Sequence, residues 1–169
     1  TYNTALGYNS LAANTTASGN TAVGRFAMYT NTTGSGTVAV GYQALKVNTT
    51  GTQNTSVGKD NMLANTTGYN NTMVGSNVGH ANTTGYSNVG IGYETFSTNT
   101  TGYSCVAIGR KALEDHTTGS NNIAIGENAG KDITTGTSNV SVGMNSGQVI
   151  TTGTSNVCIG HGSGIALTG

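Results

Sequence analysis

Charge is what this sequence has least of. Charged residues make up 7% of its 169 positions, against roughly 25% in ordinary soluble domains. Six Lys and Arg balance six Asp and Glu, so the net charge is zero. Nucleic-acid binding runs on clustered cations that displace counterions, and no cation cluster occurs here, so no nucleic-acid partner is expected. Hydrophobic runs are equally scarce. None approaches the ~20 residues of a membrane-crossing helix, and no apolar signal segment opens the chain, so membrane insertion is not expected. Proline and tryptophan are missing, and aromatic residues amount to 6%. The only two cysteines, Cys105 and Cys158, lie in different slots of the repeat described below. At ~4.8 Å per coil their separation excludes an intrachain disulfide, which needs Cα atoms within about 7 Å.

What fills the chain instead is Gly, with 27 residues, together with Thr, Asn and Ser. Polar low-complexity sequence of this kind can be disordered. The strict phase of its apolar residues argues otherwise. A glycine returns every 17 residues, at Gly7, Gly24, Gly41, Gly58, Gly75, Gly92, Gly109, Gly126, Gly143 and Gly160, without insertion or deletion. A fixed period of this length marks a repeat architecture. Residues 1–169 therefore read as a single repeat array. The chain opens on Thr1 in phase and stops at Gly169 before its last unit is complete. Neither end shows an atypical capping unit, so a longer parent polypeptide is expected.

Each unit reads the same way. The residue before the marker glycine is aliphatic, as in Val23, Val74, Ile108 and Ile125, and the residue three before it is Thr, Val or Ile. Between them stands a small residue such as Ala22, Ala107 or Ala124. This alternation predicts a short strand with the β-branched side chains turned inward. The small column Ala5, Ala22, Ala39, Ala107 and Ala124 then offers a flat outer face to a symmetry mate. After the glycine, a small residue and a large apolar one (Leu11, Met28, Leu45, Met62, Phe96, Leu113) predict a second short strand. It closes in Asn-Thr-Thr-Gly, whose Asn and Gly tolerate positive φ and mark a turn. The expected fold is all-β, a parallel β-solenoid of ten 17-residue coils.

Stacking explains the monotony, because each slot repeats at about 4.8 Å along the axis and favours residues that pair with themselves. Thr15, Thr32, Thr49, Thr66, Thr83, Thr100, Thr117, Thr134 and Thr151 form one column, which continues to Thr168. Asn14, Asn31, Asn48, Asn65, Asn82 and Asn99 form an asparagine ladder beside it. The few charges stack in opposite-sign pairs: Glu94 with Lys111, Arg110 with Glu127, Glu114 with Lys131. Asp115 over Asp132 is a like pair beside Lys131, read as two solvated carboxylates rather than a metal site. In the last three coils the large apolar slot becomes Gly130, Gly147 and Gly164, while the asparagine slot becomes Ile133, Ile150 and Leu167. Bulk moves along the coil, as a core of constant volume requires. Gly79 coexists with Asn82, and Val78 is expected to fill that coil.

Segments such as Asn122-Ile-Ala-Ile-Gly126 and Val106-Ala-Ile-Gly109 resemble the head repeats of trimeric autotransporter adhesins. The full unit, with Asn-Thr-Ala-Val-Gly alternating with Asn-Thr-Thr-Gly, resembles repeats of phage tail-fibre proteins more closely still. The resemblance spans essentially the whole chain and implies a homotrimeric β-roll fibre on a virion or other extracellular surface. It carries over no catalytic residue. A thin coil also buries little surface by itself, so closed threefold association is the natural complement.

No enzymatic activity and no cofactor are expected, since His80, His116 and His161 fall in three different slots, far apart along the axis. The expected role is a structural segment of an extracellular fibre, a phage tail fibre in host attachment. The rivals are a bacterial surface adhesin head and an ice-binding solenoid using its threonine ladder. Ice-binding grids need two outward threonines separated by one residue, whereas here the two are adjacent. Tyr69, Tyr86 and Tyr103 share one slot on consecutive coils. They are read as an aromatic ladder that stiffens a turn, with contact to a host-surface glycan or receptor as the functional alternative.

Overall fold

A computed structural model describes residues 2–165, so Leu167, Thr168 and Gly169 lie outside the described residues. It shows the parallel β-solenoid, with one coil per 17-residue unit. The strands are β1 (Thr4–Leu6), β2 (Thr21–Val23), β3 (Val38–Val40), β4 (Thr55–Val57), β5 (Thr72–Val74), β6 (Val89–Ile91), β7 (Val106–Ile108), β8 (Ile123–Ile125), β9 (Val140–Val142) and β10 (Val157–Ile159). They form one ten-stranded parallel sheet in chain order. Register is that of the repeat: Thr21 pairs with Val38, and Ile108 with Ile125.

Among the described residues the second strand expected in each coil does not form. The segment after the marker glycine alternates into left-handed backbone, with Phe26 at φ 61° and Met28 at φ 49°, and Gln43 and Leu45 repeat this at 57° and 51°. A strand cannot hold every other residue there. A left-handed conformation costs a non-glycine residue roughly 1–2 kcal/mol. Neighbouring coils offset it: Phe26 N–H donates back to the Tyr8 carbonyl and Met28 N–H forward to that of Ala44, at 2.9 and 3.0 Å. The segment is a tight corner that still pairs with coils on both sides.

The facing of the strand is the reverse of the sequence expectation. Ala22, Ala39, Ala107 and Ala124 are fully buried, while Val38, Val74, Ile91, Ile123 and Ile125 are among the exposed hydrophobic residues. Geometry explains the inversion. The coil interior is filled from the corner by Met28, Leu45, Met62, Phe96 and Leu113, all fully buried. The strand opposite them has room only for a small inward residue, so its β-branched side chains point out. The alanine column therefore belongs to the core and cannot face a symmetry mate.

Conserved bulk holds where the sequence places it. Ile133 and Ile150 are buried in coils whose large slot is glycine, and a Cβ on Gly130 would lie 2.9 Å from Ile133 Cδ1. In the coil of Gly79, both Val78 and Met73 are buried, and Met73 Sδ occupies space above Gly90 that a Cβ would enter at 2.5 Å. The marker glycines are required by close approach. Gly75 has φ +133°, and a Cβ there would collide with the Gly92 carbonyl of the next coil.

Candidate functional site

Two asparagine ladders run inside the coil. In the expected one, each side-chain amide donates to the asparagine of the preceding coil: Asn48 to Asn31 at 2.8 Å, Asn65 to Asn48 at 2.7 Å, Asn99 to Asn82 at 2.7 Å. Sequence reasoning gave no role to the second, which includes Asn20, Asn54, Asn71, Asn88, Asn122 and Asn139. Its members donate across the coil to a turn carbonyl, as Asn71 does to Gly85 at 2.8 Å. They accept the next coil's backbone N–H, as Asn54 Oδ1 does from Asn71 at 3.0 Å. The signal was the Asn four residues before most marker glycines. Buried polar groups must find partners, and these ladders are how a thin, polar interior satisfies its carbonyls.

His116 terminates the first ladder. It is fully buried, with Nδ1 2.9 Å from Asn99 Oδ1 and Nε2 3.3 Å from Asn122 Nδ2. The partners assign the tautomer: Nδ1–H donates to the Asn99 oxygen and Nε2 accepts from Asn122. Cys105 Sγ lies 3.9 Å from the same Nε2. A cysteine beside a histidine invites comparison with an activated nucleophile. Burial, however, lowers the imidazole to about 4 and raises the thiol to about 11. Both groups stay neutral at pH 7, the opposite of a thiolate–imidazolium pair. Both cysteines are free and buried.

The threonine column is committed to the backbone. Thr15 Oγ1 donates to the Thr32 carbonyl at 2.9 Å, and Thr49, Thr83 and Thr117 repeat the bond to Thr66, Thr100 and Thr134 at 3.0–3.1 Å. The adjacent threonines, such as Thr33 and Thr67, are exposed at the turn. One hydroxyl column is thus spent internally, and the pair forms no two-column grid. Tyr69, Tyr86 and Tyr103 stack face to face, with centroids 4.9 and 4.8 Å apart and planes within 5°. Both faces of Tyr86 and one face each of Tyr69 and Tyr103 are occupied by this stacking.

The expected charge pairs are present. Lys111 Nζ lies 3.2 Å from Glu94 and 2.7 Å from Glu114, Lys131 lies 3.4 Å from Glu114, and Arg110 pairs with Glu127. Lys131 also bridges Asp115 and Asp132, at 3.5 Å each. Hydrogen bonding from Tyr93 is the largest of the influences holding Glu94 below its usual range. An open groove of about 540 Å³ is lined by Asn77, His80, Glu94, Ser97, Lys111 and Glu114. Among the described residues no cluster of three His, Cys, Asp or Glu could hold a metal ion.

The remaining feature is the outer face of the sheet. Two columns point outward from every strand, one of Val, Ile and Thr, the other of Leu, Val and Ile alone. Of these twenty side chains four are threonine: Thr4, Thr21, Thr55 and Thr72. The other surfaces of the coil carry mostly Thr, Asn, Ser and charge, with tyrosines at the corners. Comparison with protein-family models, curated proteins and solved structures finds no match to the chain.

Proposed function

We propose that the chain is a structural segment of an extracellular fibre, a phage tail-fibre shaft in which three parallel copies assemble through the outer face of the sheet. The observation that carries this reading is that face. It is a strip of twenty outward side chains, sixteen of them aliphatic, on a rod of stacked coils. A stable interface uses about 20–30 residues per partner, and contiguous exposed apolar surface marks a site of association. Flat, branched columns without long side chains suit parallel copies in register, and cyclic closure leaves no strip uncovered. The rest of the coil supports a mechanical role. Length is set by coil number, at ~4.8 Å each, and every interior polar group described above serves stacking.

The rival is a bacterial adhesin head, in which the same rod would stand on a cell envelope. Immunogold labelling of the parent particle with antibody to residues 2–165 separates them. Label along the tail fibres of virions is the expected result. Label confined to cell envelopes would replace the fibre reading with the adhesin one.

A further inference from the structure

The corner beside the first three strands differs in composition from the rest of the rod. Arg25 stands between Tyr8 and Tyr42 in one column, with its guanidinium carbon 5.9 and 6.0 Å from their ring centroids and 4.7 Å from that of Phe26. Lys46 Nζ lies 5.7 Å from the Phe26 ring. Phe26 packs edge-to-face against both Tyr8 and Tyr29, with interplanar angles of 81° and 82°. Tyr29 and Tyr42, which have coils on both sides, are 36% and 39% exposed.

The charges of this corner stand apart as well. The chain has six Lys and Arg. Lys59, Arg110, Lys111 and Lys131 each lie in a salt bridge. Among the described residues Arg25 and Lys46 are the two cations without one, and neither side chain donates a hydrogen bond within the protein. Stacking on rings uses the flat face of a guanidinium and leaves its in-plane N–H donors free. Edge-to-face packing likewise leaves ring faces open, whereas coaxial stacking covers both faces of Tyr86.

We propose that this corner binds a carboxylated saccharide. The partly positive C–H face of the sugar ring would lie on Tyr42, and its carboxylate would meet the in-plane donors of Arg25, with Lys46 as the second cation. Two cations match the isolated charges of an acidic sugar. A nucleic-acid backbone, which needs a track of them, would find too few. The site goes beyond the fibre reading and does not depend on it, since the corner lies beside the outer strip rather than on it.

The test is calorimetric titration of the assembled protein with hexagalacturonate and with sialyllactose, against the methyl-esterified hexamer, lactose and a six-residue oligothymidylate. At least one acidic sugar should bind about tenfold or more tightly than its neutral form, with affinity falling as salt rises. Arg25→Gln, an exposed change, should bring binding of the acid down to the level of the neutral sugar. Tyr42→Ser should weaken both, with the circular dichroism spectrum unchanged. The proposal is overturned by equal binding of acidic and neutral sugars or by binding that survives Arg25→Gln. Tighter capture of the oligothymidylate, or no binding to either acidic sugar, overturns it as well.

Discussion

At the scale of single residues, His116 shows how this interior tolerates polarity. Asn, His and Ile occupy the same slot in successive coils because each meets a different need. Asn82 and Asn99 both donate to the coil before. His116 donates to Asn99 and so ends the ladder without orphaning its last oxygen. Ile133 then fills space left by Gly130. The imidazole has a pH consequence. Its folded value is lowered to about 4 by burial, from 6.5. Stability from the neutral ring is therefore complete above pH 6.5 and drains away as pH falls towards 4, by about 3 kcal/mol in all. Cys105, the titratable neighbour, stays neutral over that range. His116→Asn keeps a donor for Asn99 and removes the titration. Denaturant unfolding at pH 7 and pH 4.5 should show the variant losing about 2–3 kcal/mol less than the parent. Equal losses in both proteins would refute this role, since the carboxylates common to both cancel in the comparison.

At the scale of the coil, what was legible in the sequence was whatever repeats in phase. The period, the ten strands, the Thr15 column, the Asn14 column, the charge pairs and the exchange between Gly130 and Ile133 all follow from slot identity. Facing did not. A three-residue strand such as Val106-Ala107-Ile108 alternates either way, and only the volume of Leu113 and Phe96 opposite decides that the alanine goes in. The left-handed residues of the corner were equally hidden, because Phe26, Met28 and Leu45 are residues that ordinarily avoid positive φ. The Arg25 corner was missed for another reason: it is not periodic, and the eye tuned to repetition passes over it.

The coil as a unit makes a further expectation. Neighbouring coils contact only each other, so stability should be close to a sum of coil and interface terms. Deleting residues 52–68 removes one full period and joins Gly51 to Tyr69, which leaves Asn48 stacked beneath Asn82. Deleting residues 52–67 leaves every later slot one step out of phase. The first variant should keep the circular dichroism spectrum and unfold cooperatively at a temperature a few degrees lower. The second should lose both. Similar behaviour of the two would contradict a register set by side-chain columns.

At the scale of the whole molecule, the fold divides its labour between an interior and two kinds of surface. The interior is thin and held by hydrogen-bonded ladders as much as by apolar contact. The polar turns face solvent, and the strand face remains as a strip of aliphatic columns along the rod. Val74, Ile91 and Ile125 are 37%, 40% and 39% exposed, an arrangement suited to contact with further copies. Replacing Ile91 and Ile125 by Lys leaves the coil interior intact and loses only cross-strand contacts with Val74, Ile108 and Val142, so each change should cost one chain about 1 kcal/mol. It would nonetheless place like charges opposite one another in a parallel assembly. Sedimentation equilibrium of the chain and of this double variant is the most direct test. Assembly through the sheet face requires a parent species of three times the 16.9 kDa chain mass and a folded variant of one times that mass. A parent that sediments as a single chain at high micromolar concentration, or a variant that remains a trimer, would contradict it.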